Sequence, residues 1–461
     1  MQINDKTPII AIATAPGRGG IGIIRLSFDG ALSEEILGRL FPGKKIEPRH
    51  AHLLPVTDAA GELLDHAIVL HFPAPASYTG ESVLEIQAHG GPVLLRLILR
   101  SALEKLKFCG LRLAEPGEFT KRAFLNGRMD LAQAEAVSGL IDAVSEAAAQ
   151  AAARSLSGEF SGEVHRIGAL LDEARALSEA SLDFPEEDLE DLREREIFTR
   201  AAQASELIEG LLGTARRGAV LADGLTVALV GAPNVGKSSL LNAFAGEEVA
   251  IVTDIAGTTR DRVEHWTAFD GVPLRVVDTA GVRETEDVVE RKGIERTLKS
   301  ISEADIVLNL VDASGRIPND AELLARVRGC ARPGTPLLIV ANKTDCADAA
   351  ELERFRAEGA LTISAKTGEG LAELKARVLE LADMAGGTEG VFMARERHLE
   401  CLGRAREHLE IALEMSRDPF CMMELFAEEL RLAGRALGEL LGETDAEGLL
   451  GIIFSRFCIG K

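Results

Sequence analysis

One tryptophan and one tyrosine stand in a chain of 461 residues. Stacking bases on aromatic rings is therefore not its main mode of binding. Six cysteines, at positions 109, 330, 346, 401, 421 and 458, lie at least sixteen residues apart with no C-x-x-C pair. That spacing argues against a zinc knuckle and against a disulfide framework. There is no basic surplus either: Lys+Arg 51 against Asp+Glu 73 leaves a net charge of −22. A broadly basic nucleic-acid binder is disfavoured, and any RNA contact needs a local patch or a basic partner. No apolar run approaches the roughly 18 residues of a membrane helix, and no basic-then-apolar leader is present. These absences predict a soluble, cytoplasmic protein. What is present, 46% hydrophobic and 27% charged residues, is the composition of a folded chain with room for about three domains.

The pattern changes along the chain. Up to about residue 120, short apolar runs alternate with Gly/Pro turns: Ile9–Ile12, Ile21–Leu26, Ala67–Leu70 and Val83–Ile86 read as strands, and Pro92–Leu106 as a helix. This part is α+β. From Met129, apolar residues at Leu131, Ala134, Val137, Leu140, Ile141, Val144 and Ala148 mark one amphipathic helix, and the pattern resumes through Leu170 and Leu177. Asp183–Glu196 is acidic and exposed. A further helix from about Glu194 to Leu212 leads to a basic, glycine-bearing joint, Arg216-Arg217-Gly218. From Leu225 to Leu381, apolar strands (Leu225–Val230, Leu274–Val277, Ile306–Val311, Leu337–Val340) alternate with helices, the signature of a mostly parallel sheet. Helical periodicity returns after Gly390, with a capping box at Thr444-Asp445-Ala446-Glu447 opening the last helix. An α/β unit inserted into a helical domain is the expected architecture.

Gly231-Ala232-Pro233-Asn234-Val235-Gly236-Lys237-Ser238 fits G-x-x-x-x-G-K-[ST], follows an apolar strand and opens the helical pattern from Ser239. Backbone N–H groups of such a loop curl around phosphates, Lys237 reaches the β- and γ-phosphates, and the Ser238 hydroxyl suits Mg²⁺. The bland alternative is a chance Gly-rich turn. Asn342-Lys343-Thr344-Asp345 follows the strand Leu337–Val340. A carboxylate there accepts both the N1–H and the exocyclic amine of guanine, which adenine cannot match. Ser364-Ala365-Lys366 is the second base contact. Asp278-Thr279-Ala280-Gly281 places an aspartate for a magnesium water and a glycine N–H for the γ-phosphate. Four motifs in this order read as a GTPase.

A glutamine directly after the D-x-x-G motif orients water in Ras-type enzymes. Here that place is Val282, so water and positive charge must be supplied otherwise. Asn234 can offer a carbonyl oxygen to a monovalent cation, and potassium there would replace an arginine finger. Thr259, in Gly257-Thr258-Thr259-Arg260, is the natural second Mg²⁺ ligand. Arg260 is either a literal finger or a salt-bridging surface residue. Glu284, Glu286, Asp287 and Glu290 are all available to orient water, and spacing does not choose among them.

The segments GAPNVGKSS, DIAGTTRD (Asp254, Ile255, Ala256, Gly257 onward), DTAGVRE and NKTD lie in the insert. Before them come APGRGGIGIIR, SYTGESVLEIQAHGGP and EPGEFTKRAFLNGRMDLAQAEA, and the chain ends FCIGK. Together these resemble the bacterial tRNA-modification GTPase family MnmE (TrmE) along essentially the whole length. The GTPase motifs alone also fit ribosome-assembly GTPases, so a GTP-gated RNA-binding factor without modification activity is the competing class.

The resemblance implies a multidomain α/β protein. Residues 1–120 would form an N-terminal α+β domain for dimerisation and tetrahydrofolate. Residues 121–220 and 384–461 would form a helical domain, interrupted by a Ras-like P-loop GTPase domain at 221–383. It also implies a potassium-activated homodimer in which Asn234, the Thr253 and Ile255 carbonyls and Thr258 hold K⁺. Ser238 and Thr259 would hold Mg²⁺, and Glu290 would orient the attacking water. The partner would be the flavin- and NADH-using MnmG, in a heterotetramer, with tRNA contacted mainly through that partner. The reaction adds a carboxymethylaminomethyl or aminomethyl group to C5 of the wobble uridine, with a 5-formyl- or methylene-tetrahydrofolate as one-carbon source.

Gly17-Arg18-Gly19-Gly20-Ile21-Gly22 satisfies G-x-G-x-x-G, but a strand rather than a helix follows, which favours a structural turn over a dinucleotide site. By resemblance the loop serves a folate pocket made of Arg25, Glu85, Arg128 and Lys461, with Arg128 standing where family members carry lysine. On sequence grounds alone Arg25 reads as a strand-surface charge. Cys458 is either a small apolar side chain or, by the CIGK ending, a participant in modification. His89 reads as a packed or turn histidine rather than a proton donor.

Overall fold

The computed structural model describes residues 6–183, 190–245, 264–278, 299–315, 321–418, 421–443, 447–455 and 457–460. The chain divides into two compact units, one of residues 1–138 with 438–461 and one of residues 139–437.

The first unit is built on a six-stranded sheet in the order β3-β4-β5-β2-β1-β6, formed by β1 (Ile9–Ile12), β2 (Ile21–Phe28), β3 (His52–Thr57), β4 (Leu63–Phe72), β5 (Ser82–His89) and β6 (Arg112–Leu113). All neighbours run antiparallel except β1 and β6. Alternation along β2 sends Ile24 and Leu26 to one face, where α2 (Pro92–Lys105) covers them with Leu95, Ile98 and Ala102. Each buried Leu or Ile among them contributes roughly 1.5–3 kcal/mol. Gly22 marks the crossing point: a Cβ there would meet Leu95 Cδ1 at 2.5 Å. Helix α1 (Ser33–Leu40) adds Ile36 and Leu40 to the same core. After α3 (Glu118–Leu125), the start of α4 (Leu131–Asp142) packs Leu131 and Ala134 on Leu450, Ile453 and Phe454 of the last helix, Glu447–Ser455.

In the second unit the sheet order is β12-β11-β10-β7-β9-β8, with β7 (Leu225–Gly231), β8 (Glu264–Phe269), β9 (Val272–Asp278), β10 (Ile306–Asp312), β11 (Leu337–Asn342) and β12 (Leu361–Thr362). Only β8 is antiparallel to its neighbour. β7 and β10 are buried at every residue, as central parallel strands covered on both faces must be. The sheet carries α8 (Lys237–Ala245), α9 (Ala321–Cys330), α10 (Ala349–Ala357) and α11 (Leu371–Leu381). The remaining helices are α5 (Glu146–Ser157), α6 (Glu159–Asp183), α7 (Glu190–Asp223) and α12 (Glu396–Met415), with α6 and α12 both packed along α7. α13 (Met423–Leu441) follows, and the last helix is α14.

Two sequence expectations change. The single amphipathic helix expected across residues 131–148 is two, because Ser145 adopts an extended conformation and its hydroxyl accepts the Ala148 N–H, starting α5 anew. The joint expected at Arg216–Gly218 is helical. α7 runs to Asp223 and stops at Gly224, whose φ of +73° suits glycine. Gly218 instead allows close packing, since a Cβ there would sit 2.1 Å from the Phe392 carbonyl oxygen. The capping box at Thr444–Glu447 begins outside the described residues.

His71 on β4 is 5% exposed, and its Nε2 has no hydrogen-bond partner among the described residues. Its ring lies stacked on Phe28, and burial pushes its pKa below the usual imidazole value. A buried base with a depressed pKa stays neutral in the fold while the unfolded chain takes up a proton near pH 6.5, so stability falls as pH drops below that point. Urea unfolding followed from pH 7.5 to 5.5 should show this loss, at most about 1.4 kcal/mol per pH unit from this group. His71→Leu should flatten the slope; an unaltered slope contradicts the assignment.

Candidate functional site

Opposite the ends of the parallel strands, the chain reverses its winding between β7 and β10, the place where such sheets bind ligands. The loop from Gly231 to Gly236 leaves β7 and enters α8 at Lys237. Gly231 (φ +153°), Asn234 (φ +66°) and Gly236 (φ +105°) all hold positive φ, the kind of backbone from which anion-binding loops are made. A Cβ on Gly231 would meet the Leu310 carbonyl oxygen at 2.5 Å, and one on Gly236 would meet Asn342 Nδ2 at 2.2 Å. The Lys237 ammonium donates to the loop's own carbonyls, Gly231 (2.7 Å) and Ala232 (3.2 Å). Asn234, Ser238 and Ser239 are exposed, whereas Val235 is buried beneath the loop.

Asn342 ends β11 and is 2% exposed. Its Nδ2 donates to the Val235 carbonyl (2.8 Å), and its Oδ1 accepts the Ala365 N–H (3.0 Å). The phosphate loop and the 364–366 turn are thereby fixed to one amide. Asp345 is exposed, with Oδ1 accepting the Ser364 hydroxyl at 2.8 Å. That bond, with help from the Lys366 charge, holds the carboxyl below its ordinary pKa, so it is an ionised acceptor at neutral pH. Lys343 adopts φ +68°, and its ammonium pairs with Asp312 at 3.1 Å. The Thr344 hydroxyl is buried and has no hydrogen-bond partner among the described residues.

The structure thus brings together residues 234–239, 342–345 and 364–366. β9 ends at Asp278. The expected Thr253, Asp254, Ile255, Ala256, Gly257, Thr258, Thr259, Arg260, Thr279, Ala280, Gly281, Glu290 and Lys461 lie outside the described residues. Asp312 was not legible as part of the site, because nothing in a strand-ending aspartate shows which lysine it will meet.

A second cluster lies in the first unit. Arg25 on β2 faces Glu85 on β5, as the register requires, and their side chains meet at 2.9 Å. Arg25 is half-buried rather than a bare surface charge. Its guanidinium lies 5.5 Å from the Tyr78 ring centre and 5.9 Å from that of Phe119, and it donates to the Gly460 carbonyl at 3.5 Å. Tyr78 is held by Thr120 (2.8 Å). Arg128 is exposed, but its backbone is tied to Ala123, and a Cβ on Gly80 would meet its Cγ at 3.3 Å, so it borders the same 78–80 turn. Beneath that turn runs a buried charge network: Arg122 reaches Glu81 (2.9 Å) and Glu118 (3.0 Å), and Glu118 accepts Arg112 (2.7 Å). Burial alone would raise the Glu118 pKa, but Arg112, the Glu115 N–H and Arg122 outweigh it and hold it below the ordinary carboxylate value. Tyr78, Phe119 and this network went unread in the sequence, although all but Arg112 lie in the quoted SYTGES and EPGEFTKR segments.

The Gly17–Gly20 loop pairs through backbone with Gly90 and runs straight into β2, with no helix after it. His89 is not packed: its side chain is 76% exposed, and Nδ1 lies 2.8 Å from Asp65. Cys458 is exposed, and its carbonyl oxygen accepts the Gly117 N–H. Among the described residues no helix is long and apolar enough to cross a membrane.

Two family profiles match the chain: "GTP-binding protein TrmE N-terminus" over residues 8–128 and "MnmE helical domain" over residues 131–458. A tRNA modification GTPase MnmE of Ralstonia nicotianae is 52% identical, covering 98% of this chain and 96% of its own. That of Burkholderia orbicola is 51% identical with both chains covered in full. The solved FeoB G-domain from Methanococcus jannaschii covers 34% of this chain and 97% of its own, at 28% identity and a TM-score of 0.26. The last likeness adds nothing to the assignment, which rests on the profiles and the full-length relatives. On those two profiles and the full-length relatives, the chain belongs to the MnmE family of tRNA modification GTPases.

Proposed function

We propose that this GTPase hydrolyses GTP in a potassium-dependent way and works with a flavin- and NADH-using partner, MnmG. The two modify C5 of the wobble uridine of tRNA with a carboxymethylaminomethyl or aminomethyl group. The GTPase domain spans 221–383, inserted between helical segments 121–220 and 384–461, with residues 1–120 as the N-terminal domain. The observation that carries the nucleotide part is the Asn342 amide. It locks the phosphate loop to the turn that presents Ser364 beside Asp345, a spacing suited to a nucleotide whose base is guanine.

In this reading the loop N–H groups and Lys237 hold the phosphates, and the ionised Asp345 accepts the two donors of the guanine edge. Ser238, exposed in the first turn of α8, and Asn234, exposed on the loop, are oxygen donors of the right kind for Mg²⁺ and K⁺ respectively. When bound, these cations supply positive charge against the β- and γ-phosphates. Thr253, Ile255, Thr258 and Thr259 complete the two sets, Glu290 orients water, and Arg260 is a finger held in reserve.

The Arg25–Glu85 pair, flanked by Tyr78 and Phe119, suits a flat heterocycle with adjacent N–H donors, such as the pterin head of a tetrahydrofolate. Arg128 and Lys461 complete that set, and the folate supplies the one-carbon unit. Leu53 (69% exposed), Ile68 (41%) and Ile21 (65%) lie on three strands of the same sheet. Their exposure favours a homodimer formed through this unit. Cys458, exposed in the tail, is assigned to the modification step, and tRNA is contacted mainly through the partner.

Nucleoside analysis of tRNA from cells lacking this protein should show an unmodified wobble uridine; fully modified tRNA would refute the function. GTP turnover should fall at least about ten-fold when sodium replaces potassium. Asn234→Ala should erase the difference between the salts, and equal wild-type rates in both would exclude a cation role. Calorimetric titration of the whole protein with tetrahydrofolate should saturate. Arg25→Ala should weaken it by about ten-fold or more, some 1.4 kcal/mol. Undiminished binding would remove Arg25 from the site.

A further inference from the structure

Asp312 ends β10 opposite Asn342 in the parallel register, one residue from Lys343. Its side chain is fully buried. A buried carboxylate is costly unless every acceptor is used, and here each is. Oδ2 accepts the Lys343 ammonium at 3.1 Å, while Oδ1 accepts the Ser314 N–H (3.0 Å) and hydroxyl (2.6 Å). Burial favours the neutral acid, but the Ser314 hydroxyl, Lys343 and the Ser314 N–H override it, so the group remains ionised at neutral pH.

Lys343 needs such an anchor. It sits in the left-handed backbone region, which L side chains adopt only at a cost. It lies between Asn342, which pins the phosphate loop, and Asp345, which faces the base edge. With the ammonium tied back to Asp312, the four-methylene stem is stretched between two fixed points. It presents an apolar strip over which a flat base can lie. Freed from Asp312, the same stem regains its rotamers and must be ordered anew each time nucleotide binds.

We propose that Asp312 is a positioning residue for guanine-nucleotide binding and acts through Lys343. The proposal rests on the reading of residues 342–345 as the base-recognising turn. It adds to that reading an anion, outside the four nucleotide motifs, that sets affinity without touching the phosphates.

The experiment compares the full-length wild type, Asp312→Asn, Lys343→Met, the double variant and Ser314→Ala. Equilibrium binding of methylanthraniloyl-GDP and steady-state GTP turnover are measured for each. Asp312→Asn removes the charge but keeps the shape. It should weaken GDP and raise KM by about ten-fold each, with kcat within about two-fold. Lys343→Met should do the same, and the double variant should bind no more weakly than Lys343→Met alone. Ser314→Ala, which cuts only the other arm of the carboxylate, should leave affinity within about two-fold.

Unchanged GDP affinity in Asp312→Asn overturns the proposal. So does a further ten-fold loss when it is added to Lys343→Met, since Asp312 would then act through the Ser314 turn. A ten-fold loss in Ser314→Ala has the same meaning and serves where Asp312→Asn does not fold. Failure of the base reading itself looks different: the wild type would bind methylanthraniloyl-ADP as tightly as the guanine analogue.

Discussion

One side-chain amide organises the nucleotide site. Asn342 spends its N–H on the Val235 carbonyl and its oxygen on the Ala365 N–H, while its backbone oxygen accepts the Ala313 N–H. Segments that follow β7, β10 and β12 are thus fixed to the last residue of β11. The amide is buried, so each bond lost would leave a polar group unsatisfied at about 1–3 kcal/mol. The same contact sets the identity of a neighbour. A Cβ on Gly236 would stand 2.2 Å from Asn342 Nδ2, so that glycine is required by space as well as by φ. Gly236 of the phosphate loop and Asn342 at the end of β11 are two halves of one contact.

The N-terminal unit solves a similar problem with charge. Its Arg25–Glu85 pair is shaped by the turn carrying Tyr78, and that turn stands on Arg122, Glu81 and Glu118. Ser27 and Thr79 close the network through Glu81. Buried ion pairs add little net stability, since desolvation offsets most of the attraction, but removing one partner is costly. Their effect here is geometric: they leave the turn few alternative positions and so hold an aromatic ring against the guanidinium.

How much of this could be read beforehand follows the range of the interactions. Continuous apolar runs such as Ile306–Val311 and the phosphate-loop spacing are local signals, and they placed the strands and the loop well. The capping serine at 145 is also local, but it was hidden inside an alanine-rich run whose periodicity continued across it. Gly218 looked like a breaker because glycine is ambiguous: only the backbone at Phe392, far along the chain, shows that its role is close approach. The roles of Asp312, Tyr78 and Phe119 depend on partners that the topology supplies from distant segments. Residues of this kind carry no spacing rule, and sequence periodicity is silent about them.

The first unit draws on both extremes of the chain. Leu131 and Ala134 need Leu450, Ile453 and Phe454 to be covered, and Pro116 pairs with Ile459. Residues 139–437 lie between those two parts. At a ribosomal pace of roughly 5–20 residues per second, the earlier part waits on the order of 15–60 s for its complement. Until then that apolar surface lacks its native cover, while the inserted nucleotide-binding unit has its whole sequence available first. In this protein the portion translated earliest is the last able to complete its fold.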